Sequence, residues 1–195
     1  MSSKPKILAF AGSAREASVN KRLIGLAARE AQNLGADVTL IDLRDFPIPM
    51  YDGDLEDGGG VPESARRLRE FMVASDGFML ASPEYNGALS PLMKNVLDWT
   101  SRPPKGETGK LPFAGKPAAL MGASPGGFGG FRGLMGLHSI LFSLGMHVLP
   151  DMLIVPMSHE AFSTEGLLNS ARQREALVDI VRKQLALAEL LRALR

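Results

Sequence analysis

The 195-residue chain contains no cysteine. That absence excludes disulfides, thiolate nucleophiles, cysteine-ligated iron–sulfur clusters and cysteine zinc sites together. Redox chemistry in such a chain must rest on a bound organic cofactor or on a metal without thiolate ligands. An excess of one charge is lacking too. The 22 basic and 21 acidic residues leave a formal net charge of +1, which gives no electrostatic case for nucleic acid or an anionic membrane. No apolar stretch approaches the roughly 20 residues of a membrane span. The apolar run behind Met1-Ser2-Ser3-Lys4-Pro5-Lys6 is too brief for a secretory signal, so a cytoplasmic protein is expected. His138, His147 and His159 do not have metal-ligand spacing. G-x-S-x-G is missing as well, so Ser13 and Asp42 are not parts of a hydrolase triad.

Two nucleotide-binding loops are also missing. Neither G-x-x-x-x-G-K-[ST] nor G-x-G-x-x-G comes after the first apolar run, Ile7-Leu8-Ala9-Phe10. The run leads instead into Ala11-Gly12-Ser13-Ala14-Arg15-Glu16-Ala17-Ser18-Val19-Asn20-Lys21. The run itself reads as a buried parallel strand. Leu23, Ala27, Ala31 and Leu34 then mark one face of a helix. A strand feeding a polar turn that opens a helix is a place for phosphate, because free N–H groups and the positive dipole end both point there. Ser13, Ser18 and Asn20 offer side-chain hydrogen bonds, and Arg15 offers a planar fork. With only one glycine, the turn suits a terminal monophosphate such as that of FMN better than a pyrophosphate. The other reading is a capped turn whose polar residues face water.

Further along, Gly35 stops the helix and residues 37–43 read as a second strand. Residues 44–61, rich in proline and glycine, form an irregular stretch of the kind that serves as a flap or is disordered. Pro62 opens a second helix with Ala65, Leu68 and Met72 on one face. A third strand at 77–81 ends in Ser82-Pro83-Glu84-Tyr85-Asn86-Gly87, and a helix runs from about Ser90 through Trp99. A polar connection, Arg102 to Gly115, leads to a fourth strand at 116–122 and then to the loop 123–130. A helix from Phe131 to about Leu144, a short fifth strand within 146–155 and a last helix over roughly 169–192 complete the chain. Strands alternating with helices predict one α/β domain with a parallel sheet covered on both sides. Right-handed crossovers make 2-1-3-4-5 the natural order.

In open α/β sheets, ligands bind beyond the carboxyl ends of the strands, at the switch between strands one and three. Three unusual loops leave such ends: 12–20, 82–87 and 122–130. In this fold they share one edge. Pro83 to Gly87 offers backbone N–H groups to a flat heterocycle, although Asn86-Gly87 is also simply a good turn. Gly126, Gly127, Gly129 and Gly130 let backbone pass close to a ligand, or make a flexible loop.

The motifs G-S-x-R-x-x-S-x-N at 12–20, P-E-Y-N-G at 83–87 and K-N-x-x-D-W at 94–99 together resemble the NADPH-dependent FMN reductase family. That family has the flavodoxin-like three-layer fold and includes quinone, chromate and azo-compound reductases. The resemblance covers most of residues 6–155. It implies that Ser13, Arg15, Ser18, Asn20 and Lys21 hold the FMN phosphate and that Pro83, Glu84, Tyr85, Asn86 and Gly87 line the isoalloxazine ring. Ser124, Gly126 and Gly127 would close the site. It further implies NADPH or NADH as donor, a quinone-like or other small oxidised acceptor, and a homodimer or homotetramer. No side chain need act as acid or base, since the flavin supplies the chemistry. The alternatives are a flavodoxin-type electron carrier and a flavin-binding module without catalysis. Such carriers tend to be strongly acidic for steering, unlike this near-neutral chain.

Overall fold

The structure, a computed structural model, describes residues 4–103 and 111–194. Five parallel strands form its sheet: β1 (Lys6–Ala11), β2 (Asp37–Ile41), β3 (Gly77–Ala81), β6 (Pro117–Ala123) and β7 (His147–Val155). Two more, β4 (Glu84–Tyr85) and β5 (Ala88–Leu89), make a small antiparallel hairpin of their own. The helices are α1 (Val19–Asn33), α2 (Gly53–Gly59), α3 (Glu63–Ala74), α4 (Pro91–Thr100), α5 (Phe131–Ser143) and α6 (Ala171–Ala193). The sheet order is β2-β1-β3-β6-β7, which is the expected 2-1-3-4-5 once the hairpin is set aside.

The two-residue period of a strand divides the core into two layers. Ile7, Ala9 and Ala11 of β1 pack with Leu23, Ala27 and Ala31 of α1 and with Ile180 and Val181 of α6. Leu8 and Phe10 point the other way, into a cluster with Leu68 of α3, Val96 of α4 and Leu137 of α5. The central strands are therefore apolar on both faces, as a doubly covered parallel sheet demands. Gly35, at φ 96°, ends α1 as expected, but Leu34 lies 40% exposed outside its buried stripe. The fifth strand of the sheet, β7, fills nearly all of the expected 146–155, at nine residues. It is an edge strand, and its pairing with β6 shifts register between Ala118 and Leu120, which is how Pro150 is accommodated.

The stretch at 44–61 is more ordered than its composition suggests. Leu43–Asp45 makes a 3-10 turn, and α2 is capped by Asp52, whose side chain accepts from the Asp54 N–H. Between them residues 49–51 are strapped to α4. Asn95 donates to the Pro49 carbonyl at 2.8 Å and accepts from the Tyr51 N–H at 2.7 Å. Trp99 Nε1 reaches the same carbonyl at 2.9 Å, and its ring meets Tyr51 edge-on at 5.0 Å. The asparagine and tryptophan of the 94–99 motif are thus fastenings for this strap. Lys94 and Asp98 form an exposed pair one helical turn apart. The polar connection expected at 102–115 falls partly outside the described residues, at 104–110.

Candidate functional site

The carboxyl ends of β1, β3 and β6 open into one cavity of about 270 Å³. Its floor is the turn 12–18, and the reason this turn holds its shape begins at Gly12. A Cβ there would stand 2.8 Å from both Met93 Cβ and Ser90 Oγ, so only glycine lets the turn lie against α4. Ser90 uses that closeness, donating to the Gly12 carbonyl at 2.6 Å while capping α4 through the Met93 N–H.

Asn20 fixes the opposite side of the turn. Its Nδ2 donates to the Ala123 carbonyl and its Oδ1 accepts from the Ala123 N–H, both at 2.9 Å. This two-point clamp pins the start of α1 to the end of β6, 103 residues away. Asn20 is 1% exposed, so its side chain is a positioning group. The first N–H groups of α1, at Val19 and Asn20, have no intrahelical acceptor by helix geometry and face the cavity end.

Four serines wall the cavity: Ser13, Ser18, Ser124 and Ser158. The oxygens of the first three accept backbone N–H groups, from Arg15 at 3.3 Å, Lys21 at 3.4 Å and Gly126 at 3.4 Å. A hydroxyl whose oxygen is so engaged still has its proton to give. None of the four donates it to any described residue. Arg15 also borders the cavity, and its exposed guanidinium has no hydrogen-bond or ion-pair partner among the described residues. Several free donors, a helix N-terminus and one unpaired cation converge on one space, with Glu84 as its carboxylate. That is the chemistry of an oxyanion cradle.

Glu84 is already occupied. Its carboxylate accepts from Arg132 Nε at 2.8 Å and from the backbone N–H groups of Arg132 and Gly133 at 3.0 and 3.2 Å. It thereby caps α5, whose preceding residue is Gly130 with no side chain to do so. Burial pushes the Glu84 carboxyl up, but the Arg132 hydrogen bond, the two N–H groups and the Arg132 charge outweigh burial. The group is held below the usual carboxylate range. The cap also fixes the β4–β5 hairpin against α5. Asn86 and Gly87, at φ 52° and 78°, supply the two left-handed residues of a tight hairpin turn.

The expected site residues therefore separate. Ser13, Arg15, Ser18, Asn20, Pro83, Glu84, Tyr85 and Ser124 line the cavity. Asn86 and Gly87 form the hairpin tip outside its lining, and Gly126 and Gly127 lie outside it in the open loop beyond Ser124. Lys21 also lies outside, because its ammonium turns to the end of β2 and pairs with Asp42 at 2.6 Å. Burial raises the Asp42 carboxyl, and the Lys21 and Arg44 contacts lower it further than that. The pair occupies a charge that the phosphate reading needed. A fourth loop, after β7, also lines the cavity through Ser158, which the sequence reading did not single out, and His159, which it set aside only for lacking metal-ligand spacing. The rule that named the other three loops, carboxyl ends of parallel strands, covers this fourth one as well.

The family model for NADPH-dependent FMN reductase matches residues 5–160 of the chain. The chain is 37% identical over 180 residues to an NAD(P)H-dependent FMN reductase of Pseudomonas aeruginosa, covering 91% of each chain. It is 32% identical over 181 residues to an NADPH:quinone oxidoreductase of Arabidopsis thaliana, covering 90% of this chain and 88% of that protein. Among solved structures, the flavoenzyme NAD(P)H:(acceptor) oxidoreductase of Paracoccus denitrificans superposes with a TM-score of 0.78 at 28% identity. That superposition covers 95% of this chain and 97% of the other. A doubly covered sheet in the flavodoxin order, a cavity lined by polar donors at its switch point and a match spanning most of the sequence agree, and the chain belongs to the NADPH-dependent FMN reductase family.

Proposed function

We propose that this protein, an NAD(P)H-dependent flavin oxidoreductase by family, holds FMN in the serine-walled cavity and serves quinone-like or other small oxidised acceptors. The observation that carries the reading is the set of hydroxyl protons, helix N–H groups and the Arg15 guanidinium left without acceptors around one space. A phosphate dianion suits the donors at the α1 end of that space, and the 12–18 turn has only the one glycine that its packing needs. When bound, FMN supplies the two-electron chemistry between nucleotide and acceptor. The chain's residues bind and orient. Ser13, Arg15, Ser18 and the first N–H groups of α1 take the phosphate. Pro83 and Tyr85, on a hairpin braced by Glu84, and Ser124 border the ring, and the Gly126–Gly127 segment covers it from outside.

A single open face cannot hold nicotinamide and a flat acceptor together, so the two substrates take turns. In a steady-state assay with a quinone acceptor, double-reciprocal plots at several NADPH concentrations should run parallel. Intersecting lines would refute the shared face. Failure of NADPH to bleach the oxidised-flavin absorbance would refute the reductase reading and favour an electron carrier.

Phe131, Met135 and Phe142, all exposed along α5 beside the hairpin, support self-association as a homodimer or homotetramer. Sedimentation velocity checks it. No helix among the described residues is long and apolar enough to cross a membrane. Dependence on a nucleotide donor that cells keep inside supports a cytoplasmic location.

A further inference from the structure

Ser158 stands apart from the other serines of the cavity. It is 4% exposed and lines the cavity, yet its hydroxyl neither accepts nor donates a hydrogen bond among the described residues. The residue is buried but its hydroxyl is open to the cavity, and a hydroxyl facing a cavity finds its partner in what fills the cavity. The turn that carries it is built rigidly. Met157 takes a left-handed backbone, φ 47°, which turns the chain back toward the sheet after Pro156. The Ser158 N–H then donates to the Ser124 carbonyl at 3.1 Å, fixing the 158 turn beside the loop that leaves β6.

Downstream contacts say which end of the cavity this is. Ala161 and Phe162 join the core layer of Leu23 and Ile24, and the Arg22 guanidinium lies 5.2 Å over the Phe162 ring. Asn169 holds the turn from below, donating to the Glu160 carbonyl at 2.7 Å and, from its backbone, to that of Ala161 at 2.9 Å. The turn therefore packs on the first turns of α1, away from the hairpin that borders the other end. We propose that Ser158 is a phosphate-binding residue of the FMN site, donating its hydroxyl proton to a phosphate oxygen from the loop after β7. This rests on the reading that the cavity holds FMN. It gives the phosphate subsite donors from two sides, the loops after β1 and β7.

The test compares two ligands that differ only in the phosphate. Apo-protein is titrated with FMN and with riboflavin by quenching of flavin fluorescence, for the parent and for Ser158→Ala. A hydrogen bond to a charged oxygen corresponds to about a ten- to hundredfold change in affinity. Ser158→Ala should weaken FMN by that factor, leave riboflavin within about twofold and leave the apo melting temperature unchanged; Ser158→Thr, which keeps the hydroxyl, should restore the parent ratio. Unchanged FMN affinity, or equal loss for both ligands, overturns the proposal, the second because it assigns Ser158 to general cavity shape. Should Ser158→Ala fail to fold, the same ratio read on Ser158→Cys, whose thiol is a weak donor of similar size, decides the matter. A parent protein that binds FMN no better than riboflavin refutes the FMN reading itself, which is a separate result.

Discussion

Replacing Asn20 by alanine is expected to damage the fold and the binding site together. The side chain contributes two hydrogen bonds to Ala123 at 2.9 Å in a buried setting. Removing it orphans a buried N–H and a buried carbonyl at the end of a central strand. Each orphan costs about 1–3 kcal/mol, so a loss of roughly 2–6 kcal/mol is expected against a total stability of about 5–15 kcal/mol for a domain. At about 2–4 °C per kcal/mol for a chain of this length, the apo melting temperature should fall by at least about 4 °C and by up to about 20 °C. Equilibrium urea unfolding of apo-protein gives the free energy, with the slope checked for two-state behaviour. Asn20→Asp sharpens the test. Its carboxylate still accepts from the Ala123 N–H but faces the Ala123 carbonyl with no proton to give, so it should be at least as destabilising as alanine. FMN and riboflavin affinities should fall in parallel, because the clamp sets the position of the whole α1 terminus. An apo stability within about 0.5 kcal/mol of the parent, the range of ordinary surface changes, together with selective loss of FMN, would refute the clamp and make Asn20 a phosphate ligand after all.

Arg15→Ala should behave oppositely, weakening FMN by about 1.5–3 kcal/mol with apo stability nearly unchanged, since its guanidinium has no partner among the described residues; isothermal titration beside a melting curve checks both. Gly12→Ala should be strongly destabilising because its Cβ would meet Met93 and Ser90 at 2.8 Å, whereas Gly127→Ala, with nothing within 4 Å, should leave apo stability alone, and circular-dichroism melts compare the two. The Glu84 carboxyl titrates below its ordinary value, so its contribution is present above the unfolded pKa of about 4.3 and is lost as pH falls through the lower folded value. Glu84→Gln should therefore be less stable than the parent at neutral pH, with the gap closing toward strongly acidic pH in urea unfolding; a gap that persists at acid pH would show that the charge is not what α5 needs.

How much of this was legible in the chain depended on distance along it. The strand at Ile7–Phe10, the polar turn and the helix face at Leu23, Ala27 and Ala31 are local patterns, and they gave the switch point and the order of strands. The short helix α2 was hidden because its glycines mask the periodicity, although Asp52 with Asp54 and Glu56 behind it is a capping signal. Roles set by distant partners could not be read. Nothing near Asn20 announces Ala123, and nothing near Lys21 announces that Asp42 will neutralise it. Both residues carry the right chemistry for phosphate and stand in the right turn. Partners at the ends of β6 and β2 engage their polar atoms instead.

Commitment to a partner also separates the two kinds of residue that share the motifs. Asn20, Glu84, Asn95 and Trp99 have their polar atoms committed to the backbone of other segments: Ala123, the start of α5, and the 49–51 strap. Ser13, Arg15, Ser18 and Ser158 have donors committed to nothing described. A group that is already satisfied holds geometry, because moving it breaks bonds within the chain. A group with a donor to spare gains by meeting a ligand. In a flavoenzyme the cofactor brings the reactivity, so the protein's task is to present unsatisfied donors at fixed positions without letting them collapse on one another. The committed residues are what prevent that collapse. Substitutions among them should lower stability and affinity for every flavin together, and substitutions among the uncommitted ones should separate FMN from riboflavin while leaving the fold intact.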